Sequence, residues 1–500
     1  MAEFFENAAS KWPRKAAVVA DGRAWSYAEI DEASRRMAGW LREHCSVGPG
    51  TRVAVAMRNR AEVVIAYWAA MRLGAAVLPV NYKLNPEALE HALREGEPAC
   101  LVADEVGGDA VGRIAAEMGV PMLSTGANWG DAMAHAPAED LGGATPDAPA
   151  VLLYTSGTTG LPKAAVMTHE ALVFNVRMAI LAHSLRHEDA HLLAIPFFVP
   201  TACYSLVNAA AYLGATLVMA PDAEMSTVVP LIEQWRCTTY FGVPTMFFFL
   251  TAYPRIGERD LRSLRLIAYS GSPMPVRTIR RLRELFPGVM THNFFGLTET
   301  IAMTHVLASA DAETRPESIG KLLPEVDARI VGEDGSEMAP GEVGELVFRR
   351  DVIIPEYWRR PGMLEESIRD GWFHTGDLAS VDADGYFQVH GRSKEMIIVA
   401  GQNVYSLEVE QAIMRMEKVR EVAVVGIEAT GVRAPLGECI LAVIVTHPGE
   451  VVSEAEVKRH CAGCLPTYKV PHIVECRECL PRNAAGKVMK RRLAGAEEES

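Results

Sequence analysis

The run Tyr154-Thr155-Ser156-Gly157-Thr158-Thr159-Gly160-Leu161-Pro162-Lys163 is dense in groups that can bind an anion. Its glycines let backbone amides turn inward, its hydroxyls add donors, and Lys163 supplies a positive point charge. The apolar residues before it, Ala150-Val151-Leu152-Leu153, read as a buried strand, so the loop leaves a strand end. Such a loop is built to hold a polyphosphate. It is not a Walker A loop, because no Gly-Lys-Ser/Thr follows the glycines at the spacing that a P-loop kinase or GTPase needs. Clusters of Gly, Ser and Thr usually form plain flexible loops; the donor density and the closing lysine favour the phosphate reading here.

Further motifs follow in order: Ser270-Gly271-Ser272-Pro273, Asn293-Phe294-Phe295-Gly296-Leu297-Thr298-Glu299-Thr300, Gly371 to Leu378, Gly391-Arg392-Ser393-Lys394 and Leu480 to Val488. Together with the phosphate loop they resemble the adenylate-forming superfamily of acyl-CoA synthetases, firefly luciferase and nonribosomal peptide synthetase adenylation domains. The resemblance runs from about Trp25 to Arg491 and leans towards acyl- or aryl-CoA ligases. It implies that Thr155, Ser156, Gly157, Thr158, Thr159, Gly160 and Lys163 hold the ATP phosphates. Gly271, Ser272, Pro273, Phe294, Phe295 and Gly296 are implied beside adenine, with Thr298 and Glu299 reaching phosphate and Mg²⁺. A carboxylate such as Glu299 offers the hard oxygen that Mg²⁺ prefers. Asp377 is implied to accept the ribose hydroxyls, and Arg392, with its forked donors, to contact ribose and phosphate. Lys487 is the implied adenylation lysine, its ammonium placed to neutralise charge growing on the α-phosphate. Gly401 and Gln402 are implied to face the acceptor thiol.

The chain departs from the family pattern at named places. Phe295 stands where tyrosine is usual, keeping the ring face and losing the hydroxyl. Gln402 replaces a usual glutamate, Val199 replaces the histidine of Pro-Leu-Phe-His, and Arg349-Arg350 replaces Arg-Gly. Val199 leaves the position beside the substrate carboxylate and thiol tunnel without the family's usual histidine or aromatic, so whether the usual gate operates here stays open.

These residues need a large scaffold. Five hundred residues exceed one compact core, so two or more domains are expected. Strand-like runs alternate with helical patterns up to about Pro324, the mark of helix-covered parallel sheets. A capping box, Ser26 with Glu29, opens an amphipathic helix, and Ala17 to Gly22 reads as a hairpin. Short strands separated by Gly/Asp/Pro turns follow. The expected fold class is therefore α/β: an N-terminal domain over 1–393 of mostly parallel sheets plus a small β-barrel at about 324–392, then a mobile α+β domain over 394–500. By resemblance the hinge is Lys394.

A formal charge of −14 disfavours nucleic acid or an anionic membrane as partner. No apolar run reaches membrane-spanning length, the start is acidic where a signal peptide is basic, and the end is an acidic tail. A cytoplasmic enzyme is expected. Among nine cysteines, Cys461/Cys464 and Cys476/Cys479 have zinc-like spacing. Because the first pair ends a helical pattern and the second follows an apparent strand, reduced thiols are the expectation.

The implied reaction joins a small-molecule carboxylic acid to coenzyme A through an acyl-adenylate made from ATP and Mg²⁺. By resemblance the acyl pocket is expected at Val199, Cys203, Tyr204, Phe241, Gly242, Ser270, Gly271 and Met303. Phe197 to Ala202 carries no acid to pair an α-ammonium, so an apolar aryl or short-to-medium acyl acid fits better than an amino acid. The aromatic run Met246 to Leu250 reads as helix core. Alternatives are transfer to a separate carrier protein's phosphopantetheine, a non-catalytic nucleotide-binding relative, or a zinc module; a homodimer stays open.

Overall fold

The computed structural model describes residues 1–139, 143–155, 161–301, 303–482 and 488–495. The chain divides into two compact units, one of Met1–Asp327 with Phe348–Phe373 and one of Ala328–Val347 with His374–Ser500. The chain passes from one unit to the other after Asp327 and again inside the strands Gly344–Arg349 and Trp372–Val381.

Two sheets build the first unit. A six-stranded sheet runs Met122–Ser124, Cys100–Ala103, Arg52–Ala56, Ala76–Pro79, Pro149–Thr155, Lys163–Thr168. All its neighbours are parallel except the last pair, an antiparallel hairpin that sets Thr155 opposite Lys163. The apolar run before the phosphate loop is thus the outgoing strand of a hairpin whose return strand starts at Lys163. A nine-stranded sheet holds a parallel core of Ala16–Ala20, Thr216–Met219, Ala190–Leu193, Thr239–Gly242, Leu266–Tyr269 and Met290–Phe295. These strands are short and almost wholly buried, as strands covered on both faces must be. Antiparallel partners, Arg23–Ser26 at one end and His305–Leu307 at the other, flank the core.

Local chemistry explains the element boundaries. Asp21 and Gly22, both at positive φ, turn the first hairpin. Ser26 and Glu29 form the capping box of the helix Tyr27–Cys45, whose buried face includes Ile30, Met37 and Leu41. Thr168 caps the helix His169–His183 directly after the returning hairpin strand. The helix Pro244–Ala252 corrects the reading of its aromatic run: Phe247 and Leu250 are core, but Phe249 is 53% exposed.

In the second unit, strands Ala328–Val331, Gly344–Arg349 and Trp372–Val381 neighbour one another in that order, and Phe387–Arg392 pairs antiparallel with the last. The hairpin Met396–Val399/Gln402–Tyr405 follows, then a three-stranded sheet of Val419–Glu428, Glu438–Thr446 and Ile473–Cys476. Helices Ser406–Met414 and Glu454–Ala462 pack on it around a core with Val409, Ile413, Val424 and Ile444. Among the described residues, no helix is long and apolar enough to cross a membrane.

Candidate active site

The parallel strands of the nine-stranded sheet end side by side, and ligands of open α/β sheets bind beyond such carboxyl ends. Gly242 and Tyr269 are register partners, Tyr269 pairs with Asn293, and Ser270 N–H donates to Gly242 O at 3.3 Å. The segments carrying Gly242, Ser270 and Phe294 therefore converge at one sheet end. Gly271 continues from there with φ +88°, a backbone that side-chain-bearing residues rarely adopt. Gly271 and Ser272 are exposed and Pro273 half-buried.

Phe294 and Phe295 are neighbours on one strand, so their rings leave opposite faces. Phe294 is buried, its ring 6.1 Å from Phe241 and 5.4 Å from His183. Its ring thus lies among those of Phe241 and His183. Phe295 is half-buried and meets His305 edge-on at 5.8 Å, while Gly296 is exposed. Met303 lies beside this strand, since Thr304 N–H donates to Phe295 O at 2.7 Å.

The other acyl candidates sit on an unusual turn. Val199 is half-buried, and Cys203 and Tyr204 lie in a π-helix, Thr201–Leu206, which hands over to the α-helix Val207–Leu213. The hydrogen bond from Val207 N–H to Ala202 O spans five residues. Asn208 secures the turn by donating to Cys203 O at 3.2 Å and Tyr204 O at 2.8 Å, and Tyr67 Oη donates to Asn208 Oδ1 at 3.0 Å. Ser205 Oγ donates to Asn175 Oδ1, and Asn175 Nδ2 donates to the carbonyl of Ile301 at 2.7 Å. Ile301 sits at φ +59°, an outlier for a β-branched residue, directly after the Thr298-Glu299-Thr300 motif. The Tyr204 hydroxyl is buried with no hydrogen-bond partner among the described residues. Burial raises its pKa, with Cys203, Tyr67 and the Glu299 carboxylate adding to the effect.

Lys163 and Glu299 come together. Lys163 Nζ lies 4.0 Å from Glu299 Oε1 and 3.7 Å from the centroid of the Tyr357 ring, and Tyr357 Oη donates to the same Oε1 at 2.6 Å. Thr298, next to Glu299, is half-buried. Tyr357 was not foreseen. Its segment docks on the edge of the returning hairpin strand: Ala165 and Tyr357 form an antiparallel bridge, and Trp358 N–H donates to Ala164 O at 2.8 Å. Ile354 N–H donates to the Glu299 carbonyl at 2.8 Å, fixing the same turn from its backbone. One carboxylate beside a lysine suits Mg²⁺, which binds through one or two carboxylates together with phosphate and water. Among the described residues no three His, Cys, Asp or Glu converge into a metal cage. Ser156, Gly157, Thr158, Thr159, Gly160 and Lys487 lie outside the described residues.

In the second unit Asp377 and Arg392 are cross-strand partners. Asp377 is buried, with Oδ1 2.8 Å from Arg392 Nε, and Arg392 Nη1 donates to Thr375 O at 2.9 Å. Thr375 Oγ1 bonds Leu346 O at 2.7 Å and accepts from Asp377 N–H at 3.0 Å, so both site residues are held from behind. The guanidinium fork serves two acceptors at once, which an ammonium at that reach cannot copy. Arg392→Lys is expected to raise KM for ATP about tenfold with a smaller change in kcat, read from initial rates. Lys394 is exposed in the turn Ser393–Glu395. Gly401 and Gln402 are exposed at the hairpin tip, where Ala400 and Gly401 both take positive φ.

The cysteines with zinc-like spacing are free thiols: Cys461 is buried and Cys464, Cys476 and Cys479 are exposed. Cys464 and Cys476 donate to backbone carbonyls of His460 and Val452.

Two helix-covered sheets followed by a small α+β unit are the architecture of an adenylating enzyme. The chain belongs to the AMP-binding enzyme family: residues 5–358 match its main model, and residues 408–487 match the AMP-binding enzyme C-terminal domain. It is 34% identical over 484 residues to a feruloyl-CoA synthase of Amycolatopsis, covering 96% of this chain and 95% of that protein. With the indoleacetate–CoA ligase of Aromatoleum aromaticum it shares 31% over 507 residues, 98% and 96% of the two chains. The o-succinylbenzoate CoA synthetase of Bacillus subtilis, solved with its acyl-adenylate intermediate, superposes with a TM-score of 0.87 at 28% identity, covering 99% and 98%.

Proposed function

We propose that the chain is an AMP-forming carboxylate–coenzyme A ligase. In the first half-reaction a carboxylate oxygen attacks the α-phosphorus of ATP, forming the acyl-adenylate and releasing pyrophosphate. In the second, the coenzyme A thiol gives up its proton to solvent, its sulfur attacks the acyl carbon, the carbon–oxygen bond to AMP breaks, and AMP and the thioester leave. The observation that carries this reading is the meeting of Lys163, Glu299 and Tyr357 beside the hairpin that bears the phosphate loop. When bound, Mg²⁺ would neutralise phosphate charge; Glu299 is the residue to hold it, and Tyr357 and Lys163 fix that carboxylate. Thr298 and the phosphate loop bind the triphosphate, and Phe295 offers adenine a ring face. Asp377 and Arg392 orient the ribose. Lys487 bridges the reacting carboxylate and α-phosphate, then leaves as residues 394–500 turn about Lys394, bringing Gly401 and Gln402 to the thiol.

The acid is apolar, aryl or short-to-medium acyl. Phe241, Phe294, Cys203 and Val199 offer it carbon and sulfur surface, and Tyr204 a single buried hydroxyl. The enzyme works in the cytoplasm on these small molecules. AMP release from ATP, measured across aryl, short, medium and long acids with and without coenzyme A, tests the proposal. Coenzyme A-dependent AMP with an aryl or short-to-medium acid is the expected result. AMP formed only with a holo-carrier protein would move the acceptor, and no AMP with any acid would end the reading.

A further inference from the structure

The basic run Lys490-Arg491-Arg492 reads from sequence as a solvated face. Arg491 and Arg492 are exposed, but Lys490 is not part of that face. Its ammonium lies 2.8 Å from Glu410 Oε1 and 3.1 Å from Glu395 Oε2, and donates to Ser406 Oγ at 2.9 Å. Only 21% of the Lys490 side chain and 13% of that of Glu410 reach solvent. Glu410 Oε1 also accepts from Val424 N–H at 2.7 Å, so the cluster is tied into the central sheet of its unit. A withdrawn lysine between two carboxylates is favourable only while the pairing holds, and such groups specify one arrangement more than they add stability.

The partners come from informative places. Glu395 ends the turn Ser393–Glu395 that contains Lys394, and Ser406 and Glu410 belong to the helix Ser406–Met414. Lys490 itself stands three residues after Lys487. Between them Val488 bridges to Arg482, and Met489 N–H donates to Pro481 O at 2.8 Å, which pins the flanks of 483–487 to each other. Backbone pairing closes the base of that segment, and Lys490 fastens the base to the turn beside Lys394.

We propose that Lys490 is a positioning residue, an ionic clasp that makes the base of the Lys487 segment and the turn at Lys394 one rigid body. Its catalytic consequence rests on the ligase reading above. A lysine that must arrive at the α-phosphate when the chain turns about Lys394 is placed accurately only if nothing between pivot and lysine yields. Misplacement by about 1 Å costs up to roughly a hundredfold in rate.

Glu395→Gln removes one charge at the more open end of the clasp and leaves the Lys490–Glu410 pair intact, so the fold is retained. Pyrophosphate release in the first half-reaction is expected to fall about tenfold, while thioester formation from supplied acyl-adenylate and coenzyme A stays within about twofold. Lys490→Met is expected to lose about a hundredfold in the first half-reaction, with most of the rate kept in Lys490→Arg. Hydrogen exchange on the full chain supplies a readout independent of activity. In Glu395→Gln the amides of Val488 and Met489 and those of Lys394 to Met396 are expected to lose protection together. Equal losses in both half-reactions, or loosening of one segment without the other, would overturn the clasp. A wild-type chain that made no AMP would defeat the ligase reading instead, and the exchange result would still decide whether the clasp exists.

Discussion

If Lys487 holds the role proposed for it, Lys487→Ala is expected to slow acyl-adenylate formation by about 10²–10³-fold, the usual cost of removing one charge that stabilises a developing anion. Thioester formation from a supplied acyl-adenylate should change by no more than about threefold, because the lysine acts only where the α-phosphate gains charge. Lys163, Arg392 and Lys490 are each already committed within their own unit. Lys163 rests on the Tyr357 ring beside Glu299, and Arg392 serves Asp377 and the Thr375 carbonyl. Lys490 is clasped by Glu395 and Glu410. Borrowing any of them would break a pair to mend a gap. Separate assays of pyrophosphate release and thioester formation check this; a variant impaired equally in both would contradict the assignment of Lys487 to the first step.

The second large effect is on stability. Below neutrality the first unit is expected to lose stability steeply and to unfold on acidification towards pH 5. Five of its histidines, His169, His183, His191, His292 and His305, are buried. Burial holds His169, His191 and His292 at a pKa of about 4 and His305 at about 3, and drives His183, beside His292, well below the ordinary value. Because the folded pKa is depressed below the unfolded value of about 6.5, the native state binds fewer protons than the unfolded chain. The stability is fully present above pH 6.5 and is lost as pH falls from there towards 4. At pH 5.5, a unit below the unfolded value, each histidine held neutral forfeits on the order of 1 kcal/mol, so several together are a large share of an ordinary domain's stability. Thermal unfolding at pH 7.5, 6.5 and 5.5 checks this. A midpoint that did not move across that range would show that these imidazoles are charged when folded.

The sequence carried whatever was local. The Ser26/Glu29 capping box, the Asp21-Gly22 hairpin and the alternation of apolar strands with helices each depend on a few consecutive residues, and each is present. Asp377 and Arg392 were legible as residue types in motifs, and the strand pairing that joins them is what the motif spacing encodes. What was not legible depends on distant pairing. Tyr357 stands in a turn-rich stretch with no periodicity and reaches Glu299 only because its backbone bridges to Ala165. Lys490 is hidden in a basic run whose composition suggests water, and only the fold brings two carboxylates to it. Phe294 and Phe295 read as a unit, yet the pleat sends their rings to different neighbours.

The π-turn at Thr201–Leu206 has a consequence for how this enzyme can change. A π-turn is an α-helix that has taken in one surplus residue. The direction in which Cys203 and Tyr204 point is therefore set by a count of residues as well as by their identity. Excising a single residue ahead of Cys203 would return the segment to ordinary α winding and re-aim the side chains within the turn, while the helix Val207–Leu213 keeps its register. On the proposed reading, point substitutions at 203 or 204 would resize the wall that meets the acid. A one-codon deletion replaces the wall, giving a lineage a single-step route to a new acid that no series of substitutions retraces.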